Sequence, residues 1–203
     1  MKQQKRPRGR PPKTESQSVS IREVIVQAAR EVCCESGVHN LTVEHILVKS
    51  GISRPTFYKF FNNKDEVLDH IQKEVNQSLI NSIIRIFTEK VPNEVSLESA
   101  IDAYLQWGME EGAIIGKLYQ AMVGGYGILS KNRETTINIL INNFQHALAA
   151  SGLPQRDPLL LRAMVHAVEN LCNPLFTGKY SEEYYSRVRA IVVNSFKKLI
   201  LTD

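Results

Sequence analysis

The amino-acid sequence predicts an all-α protein. Apolar residues recur at helical spacing in one segment after another, and no stretch of alternating apolar and polar residues is long enough to propose a sheet. Glycine, proline and asparagine separate these segments, as is typical of helix ends. No apolar run approaches the ~18 to 20 residues that span a bilayer, and the polar, basic N-terminus predicts no signal peptide. We therefore expect a cytoplasmic protein with no membrane partner.

Residues 1–18 are predicted to form a disordered basic arm. They include almost no apolar residue, so ordering them would bury too little surface to offset the lost entropy. Positions 1–13 carry six basic residues and no acidic one. The centre of the arm, Arg8-Gly9-Arg10 with a proline on each side, resembles an AT-hook, which lies extended in the narrow minor groove of A·T tracts. A plain basic tail is the alternative.

The first helix is predicted to begin at Ser20. This serine can cap a helix, and Glu23 completes a capping box three residues later. Gly37 is expected to end the helix. The apolar residues between them lie at helical spacing: Val24, Ile25, Ala28, Ala29 and Val32.

The stretch from Thr42 to Lys59 predicts a helix-turn-helix. Thr42 can cap a short helix, the turn Ser50-Gly51-Ile52 follows, and Ser53 can cap a second short helix with Pro55 in its first turn. When two such helices pack together, the outer face of the second is free for the major groove of DNA. The packed side is predicted to consist of Val43, Ile46, Leu47, Ile52, Phe57 and Phe61, and the free side carries Arg54, Thr56, Tyr58 and Lys59.

The charge distribution indicates a polyanionic partner for the N-terminal part. Residues 1–64 carry twelve Lys and Arg against five Asp and Glu, a balance of +7, which leaves −3 for the rest of the chain. Such asymmetry is expected where one end of a protein meets DNA. An ordinary solvated surface is the alternative reading of these charges.

Residues 41–68 resemble the TetR (TetR/AcrR) family of repressors. The family pattern is a Gly turn, a Ser, T-F-Y-x-x-F and x-x-K-x-x-L. It is met by Gly51, Ser53, Thr56, Phe57, Tyr58, Phe61, Lys64 and, one place late, Leu68. The resemblance implies a three-helix DNA-binding domain at 19–66 and a helical bundle for ligand sensing and dimerisation at 67–203.

The same resemblance implies roles for single residues. Thr42, Tyr58 and Lys64 are expected to contact phosphates; the alternative for Tyr58 and Lys64 is an ordinary surface position. Thr42 and Ser53 are expected to cap their helices, either with DNA contact as an added role or as caps only. Phe60 departs from the family pattern, which more often has His or Tyr there, so it is expected either to contact thymine methyl groups or to pack. Base reading is implied for Arg54, Pro55, Thr56 and Lys59.

A long helix is predicted from Lys64 to Phe87, and helices follow at about 95–110, 113–128, 133–151, 157–173 and 181–201. The last two carry broad apolar stripes. These stripes are either buried within the protomer or form a four-helix dimer interface. The resemblance implies the dimer interface. Their members are Leu160, Leu161, Met164, Val165, Val168 and Leu171 on one helix, and Val188, Ile191, Val192, Phe196, Leu199 and Ile200 on the other.

The middle helices are rich in large side chains that are candidates for lining an effector pocket, although each is also compatible with plain core packing. The ligand-binding candidates are Tyr104, Trp107, Tyr119, Met122, Tyr126, Phe144 and His166, with Met109, Phe176, His146 and Glu169 as further possibilities.

Cys33, Cys34 and Cys172 form no CxxC pair and have no histidine at zinc-like spacing. We interpret them as buried structural thiols rather than a redox sensor, and we expect no metal and no other cofactor. The sequence has no phosphate-binding glycine loop, no nucleophile elbow and no HExxH motif, so no catalytic residue is proposed.

We therefore expect a TetR-type transcriptional repressor that binds a palindromic operator in double-stranded DNA as a homodimer. Its two motifs would lie one helical turn apart, ~34 Å, and a small-molecule effector would modulate its affinity. An enzyme and a nucleoid-architectural protein that uses the arm alone are the competing classes.

Overall fold

The computed structural model describes residues 15–89, 92–178 and 180–201, and side chains from residue 21 to residue 200. This part of the chain is helical throughout, which confirms the predicted fold class. The helices are α1 (Glu15–Ser36), a 3₁₀ turn (Val38–Asn40), α2 (Val43–Ser50), α3 (Arg54–Phe57), α4 (Lys64–Glu89), α5 (Glu94–Glu111), α6 (Ala113–Val123), α7 (Gly127–Ala150), α8 (Pro158–Phe176) and α9 (Glu182–Leu201). Within these ranges, no helix is both long and apolar enough to cross a membrane.

The first helix begins earlier than predicted. It starts at Glu15, so Ser20 lies inside it rather than at its cap, and residues 15–18 are helical rather than part of a disordered arm. Once a helix is nucleated, each added residue gains a hydrogen bond without needing apolar burial. An apolar pattern cannot reveal such a polar extension. The remainder of the predicted arm, including Arg8-Gly9-Arg10, lies outside the described residues.

Two boundaries in the C-terminal half also differ from the prediction. The sixth helix ends at Val123 and α7 begins at Gly127, six residues before the predicted start. The eighth helix continues through Pro174 to Phe176 instead of ending at Asn173. Pro174 removes the one helical hydrogen bond that its N–H would donate, but Phe176, two residues later in the same turn, is 3% exposed. Burial at the C-terminal end therefore favours the extra turn.

The largest buried cluster joins the helix-turn-helix to the helices behind it. It contains Ile25 of α1, Phe57 and Phe61 of the motif, Leu68 of α4 and Leu118 of α6. Phe57 and Phe61 are 0% and 1% exposed, which confirms them as core residues. The cluster crosses the boundary predicted at residue 66, so the helix-turn-helix packs directly on the helices that follow it.

Two smaller clusters lie farther from the motif, one among α5, α8 and α9 and the other among α5, α7, α8 and α9. The fifth and eighth helices approach closely at Gly108, where a β-carbon would lie 2.1 Å from the Phe176 ring. Trp107 packs its ring near Phe176 and donates its indole N–H to the Val75 carbonyl oxygen at 3.2 Å. Both contacts tie α5 into the wall of a cavity described below.

Candidate DNA interface and effector cavity

A glycine turn fixes the relative position of α2 and α3. The side-chain oxygen of Thr42 accepts the backbone N–H of His45 at 3.1 Å, which confirms the predicted cap of α2. Gly51 caps the C-terminal end of this helix, and its φ of 67° is in the left-handed region that glycine adopts without steric cost. Pro55 lies in the first turn of α3, as predicted.

Ser53 stands at the start of α3 but does not cap it as predicted. Its hydroxyl bonds to the hydroxyl of Thr56 at 2.8 Å instead of accepting a backbone N–H. The backbone N–H groups of Thr56 and Phe57 both donate to the Ser53 carbonyl oxygen, at 2.9 and 3.0 Å. Since those amides already have an acceptor, the serine hydroxyl is left on the outer surface with that of Thr56.

The side chains predicted to meet DNA lie on the outside of the motif. Tyr58 is 49% exposed, whereas its neighbour Phe57 is fully buried. Phe60 is half-buried and packs against the largest cluster, one of its two expected roles. The predicted DNA contacts that are exposed are Thr42, Ser53, Arg54, Pro55, Tyr58 and Lys59, and those that are half-buried are Thr56 and Lys64.

Arg54 already has a partner within the motif. Its guanidinium donates to the carboxylate of Glu44 on α2, a residue that sequence reasoning did not identify. The Arg54 and Glu44 side chains are 55% and 62% exposed. An ion pair in that setting stabilises by only about 0–1 kcal/mol, so Arg54 can leave it for a base edge at small cost.

A cavity of about 210 Å³ lies among α4 to α9. The fourth helix lines it from Gln72 to Phe87 with residues three or four apart, so one face of α4 follows the cavity. Five of the predicted ligand contacts line it, namely Tyr104, Trp107, Tyr119, Met122 and Phe144, and so do Phe176 and Glu169.

The other candidates lie elsewhere. His166 bonds to the guanidinium of Arg133, with 2.5 Å between Nδ1 and Nη2, and does not line the cavity. His146 lies beside a separate groove between α4 and α7. Met109, with 36% of its surface exposed, contacts the hydroxyl of Tyr180 at 3.6 Å.

Tyr126 was expected in the pocket, but the structure places it between the start of α4 and the connection that follows α6. Its hydroxyl donates to Asp65, and the ammonium of Lys64 lies 5.8 Å from the centre of its ring. Burial and the hydrogen bond to Asp65 both raise the pKa of Tyr126. The residue stands just before α7 rather than within the predicted longer α6, which turns it toward α4.

Glu169 was among the further candidates, but two other polar residues of the cavity wall, Gln72 and Arg133, were missed by sequence reasoning. Gln72 is 2% exposed and its amide nitrogen donates to the Leu129 carbonyl oxygen at 2.9 Å. Arg133 is held by Glu169, with 3.2 Å between Nε and Oε1 and a second bond from Nη2 to Oε2. A polar residue at an apolar position of the α4 stripe was the available signal for Gln72.

Known proteins share both the sequence of the helix-turn-helix and the overall fold. Residues 25–71 match the family model for bacterial regulatory proteins of the tetR family. The fold is shared with a TetR-family transcriptional regulator from Syntrophomonas wolfei, at a TM-score of 0.73 and 14% identity, over 89% of this chain and 95% of the other. Residues 25–71 therefore belong to the tetR family of bacterial regulatory proteins. This is a family of regulators, not of enzymes.

Two further proteins are similar to this chain over different lengths. The fatty acid degradation regulator FadR from Bacillus halodurans shares the fold at a TM-score of 0.68 and 18% identity, over 87% of this chain and 96% of the other. The fatty acid metabolism regulator protein of Bacillus subtilis (strain 168) is 30% identical over 80 residues. That match spans 39% of this chain and 41% of the relative.

Proposed function

We propose that this protein is a homodimeric transcriptional repressor, released from a palindromic operator by a small-molecule effector. The proposal rests on α4, a single unbroken helix that connects the helix-turn-helix to the cavity. This helix begins at Lys64, beside the helix-turn-helix, and lines the cavity from Gln72 to Phe87. A movement of one helix therefore changes both the cavity wall and the position of the motif, and the separation of two motifs determines operator fit.

The proposed units are the DNA-binding domain at 19–66 and the sensing and dimerisation domain at 67–203. In the first, Thr42, Tyr58 and Lys64 would contact phosphates, and the outer residues of α3 would read bases. This assignment is supported by their exposure above a buried apolar underside. Arg8-Gly9-Arg10 would enter an adjacent A·T-rich minor groove. The residues proposed to read bases are Arg54, Pro55, Thr56 and Lys59, with Ser53 beside them.

The proposed dimer interface is the outer face of α8 and α9. Leu160 is 45% exposed and Ile191 is 48% exposed, whereas Leu161 and Val192 are buried within the protomer. The predicted stripes are thus divided between the core and the surface. Exposed apolar side chains on two successive helices favour association with a second copy.

The proposed effector is largely apolar, because most of the cavity wall is aliphatic or aromatic. Two of the similar proteins are named for the regulation of fatty acid metabolism or degradation. An effector with a hydrocarbon chain is in keeping with both observations.

The test is selection of bound sequences from a random DNA pool at a stated salt concentration. An enriched inverted repeat supports the proposal, whereas enrichment of A·T content alone would favour an architectural protein. Arg54→Ala should then relax preference at one position of each half-site, by about 1–3 kcal/mol. Lys64→Ala should weaken binding to all sequences and reduce its salt dependence, whereas Lys131→Ala, an exposed lysine on α7, serves as the matched control.

A further inference from the structure

The cavity has one polar end, and it is the end nearer the helix-turn-helix. Gln72 on α4 is bonded to the backbone at Leu129, one turn before Arg133 on α7. Arg133 in turn binds Glu169 on α8, and Asn173 follows Glu169 by one helical turn. Gln72, Arg133, Glu169 and Asn173 all line the cavity, and Asn76 and Thr136 line it one helical turn farther along α4 and α7.

The opposite end is apolar. Phe87 lies fifteen residues beyond Gln72 on α4, which corresponds to ~22 Å along the helix axis. There the rings of Phe87 and Phe144 meet edge to face, with 5.2 Å between their centres. Leu161 and Phe196 complete this end of the wall. A ligand that fills the space is therefore elongated and has chemically different ends.

Two buried oxygens at the polar end lack a donor. The amide nitrogen of Gln72 is fixed by the Leu129 carbonyl oxygen at 2.9 Å and by the sulfur of Met122 at 3.1 Å. Its Oε1 is buried and accepts no hydrogen bond from any residue that the structure describes, and the same holds for Oδ1 of Asn173. A buried acceptor without a donor is costly, so a ligand that supplies an N–H or O–H gains affinity.

The charges at this end disfavour an acidic ligand. The guanidinium of Arg133 is occupied by both carboxylate oxygens of Glu169. A ligand carboxylate would have to compete with Glu169 for this guanidinium and would place a second negative charge beside it in a poorly hydrated site. It would also bring only acceptors toward the acceptor oxygens of Gln72 and Asn173.

We propose that the effector is a neutral, elongated amphiphile whose head group donates a hydrogen bond to Oε1 of Gln72. Its hydrocarbon tail extends toward Phe87 and Phe144. This inference rests on the proposed function and specifies the chemical class of the effector, a primary amide or an alcohol on a hydrocarbon chain rather than a free fatty acid.

The wild-type protein can test this without any substitution. Octanamide, 1-octanol, methyl octanoate and octanoate share a chain length but differ in the head group, and their dissociation constants are measured by isothermal titration calorimetry. The two donors, octanamide and 1-octanol, should bind about tenfold or more tightly than the ester or the carboxylate. Octanoate binding as tightly as octanamide would overturn the inference, and so would equal binding of octanamide and methyl octanoate.

A matched pair of variants locates the head group. Gln72→Met should remove the preference for octanamide over methyl octanoate, because the acceptor is gone. Gln145→Met makes the same change at a buried glutamine of α7 that does not line the cavity, and should keep the preference. Retained preference in a folded Gln72→Met variant would overturn the assignment, and if that variant does not fold, the wild-type series decides.

Operator binding by the wild-type protein is measured separately by fluorescence anisotropy, without added ligand. If the protein binds an operator but does not prefer ligands that donate a hydrogen bond, only the head-group assignment is wrong. A donor preference without any operator complex overturns the proposed function and leaves the ligand class standing.

Discussion

Replacing Tyr126 with phenylalanine should loosen the contact between the start of α4 and the connection before α7. The hydroxyl of Tyr126 donates to the carboxylate of Asp65, and the substitution removes that bond while keeping the ring near Lys64. A hydrogen bond to a charged group contributes about 1.5–3 kcal/mol. Both partners are half-buried, so solvent screening reduces the expected loss in free energy of unfolding to about 1–2 kcal/mol.

The same contact predicts a dependence of stability on alkaline pH. Burial, together with the hydrogen bond to Asp65, raises the pKa of Tyr126 above its ordinary value of 10.0. The folded state therefore keeps the phenolic proton to higher pH than the unfolded state does. The resulting stabilisation is complete below pH 10.0 and is lost as the pH rises above it. Tyr126→Phe should show a shallower alkaline decline in stability than the wild type.

The assay is urea unfolding, combined with operator affinity measured by anisotropy. Tyr184→Phe is the matched control, since its hydroxyl donates to the Leu171 carbonyl oxygen at 2.9 Å between α9 and α8. Both variants should lose stability, but only Tyr126→Phe should lower operator affinity, because its contact alone adjoins the motif. Unfolding curves of Tyr126→Phe that coincide with the wild type would refute the reasoning, as would an equal loss of operator affinity in Tyr184→Phe.

Other substitutions and labels test the packing. Gly108→Ala should lower the free energy of unfolding by about 1–3 kcal/mol, because the added carbon would lie 2.1 Å from the buried Phe176 ring. Gly127→Ala, where nothing lies within 4 Å, should leave urea stability unchanged or raise it, and a larger loss there than at Gly108 would contradict the packing argument. Cys33 and Cys172, whose pKa burial raises to about 12, should resist a thiol reagent at neutral pH until urea is added. Rapid labelling of either in the native protein would instead favour a redox role.

The helix-turn-helix could be predicted from the sequence because its signals are local. Thr42 caps its own helix, Gly51 supplies the left-handed turn and Pro55 fits a first helical turn, whatever the rest of the chain does. The start of α1 at Glu15 and the passage of α8 through Pro174 were not predicted. The start of α1 is polar, so no apolar pattern marks it in the sequence. The passage of α8 through Pro174 depends on burial of the following residues against other helices.

The cavity could be predicted only in part. Large side chains such as Trp107 and Met122 identified the helices that surround it, since size is visible in a sequence. Gln72 and Arg133 were missed because their roles depend on which faces of α4 and α7 meet, and packing partners cannot be read from one helix. Tyr126 was misplaced because the end of α6 was expected five residues later than Val123.

The position of the polar end gives the proposed effector a short route to the DNA-reading motif. Gln72 binds the sulfur of Met122, and the backbone oxygen of Met122 accepts the hydroxyl of Ser130, which also bonds to the backbone oxygen of Tyr126. Tyr126 then reaches Asp65 at the start of α4. A head group that engages Gln72 would therefore act a few hydrogen bonds from the motif. A tail that bound alone at the apolar end would lie ~22 Å farther along α4 and would lack this connection.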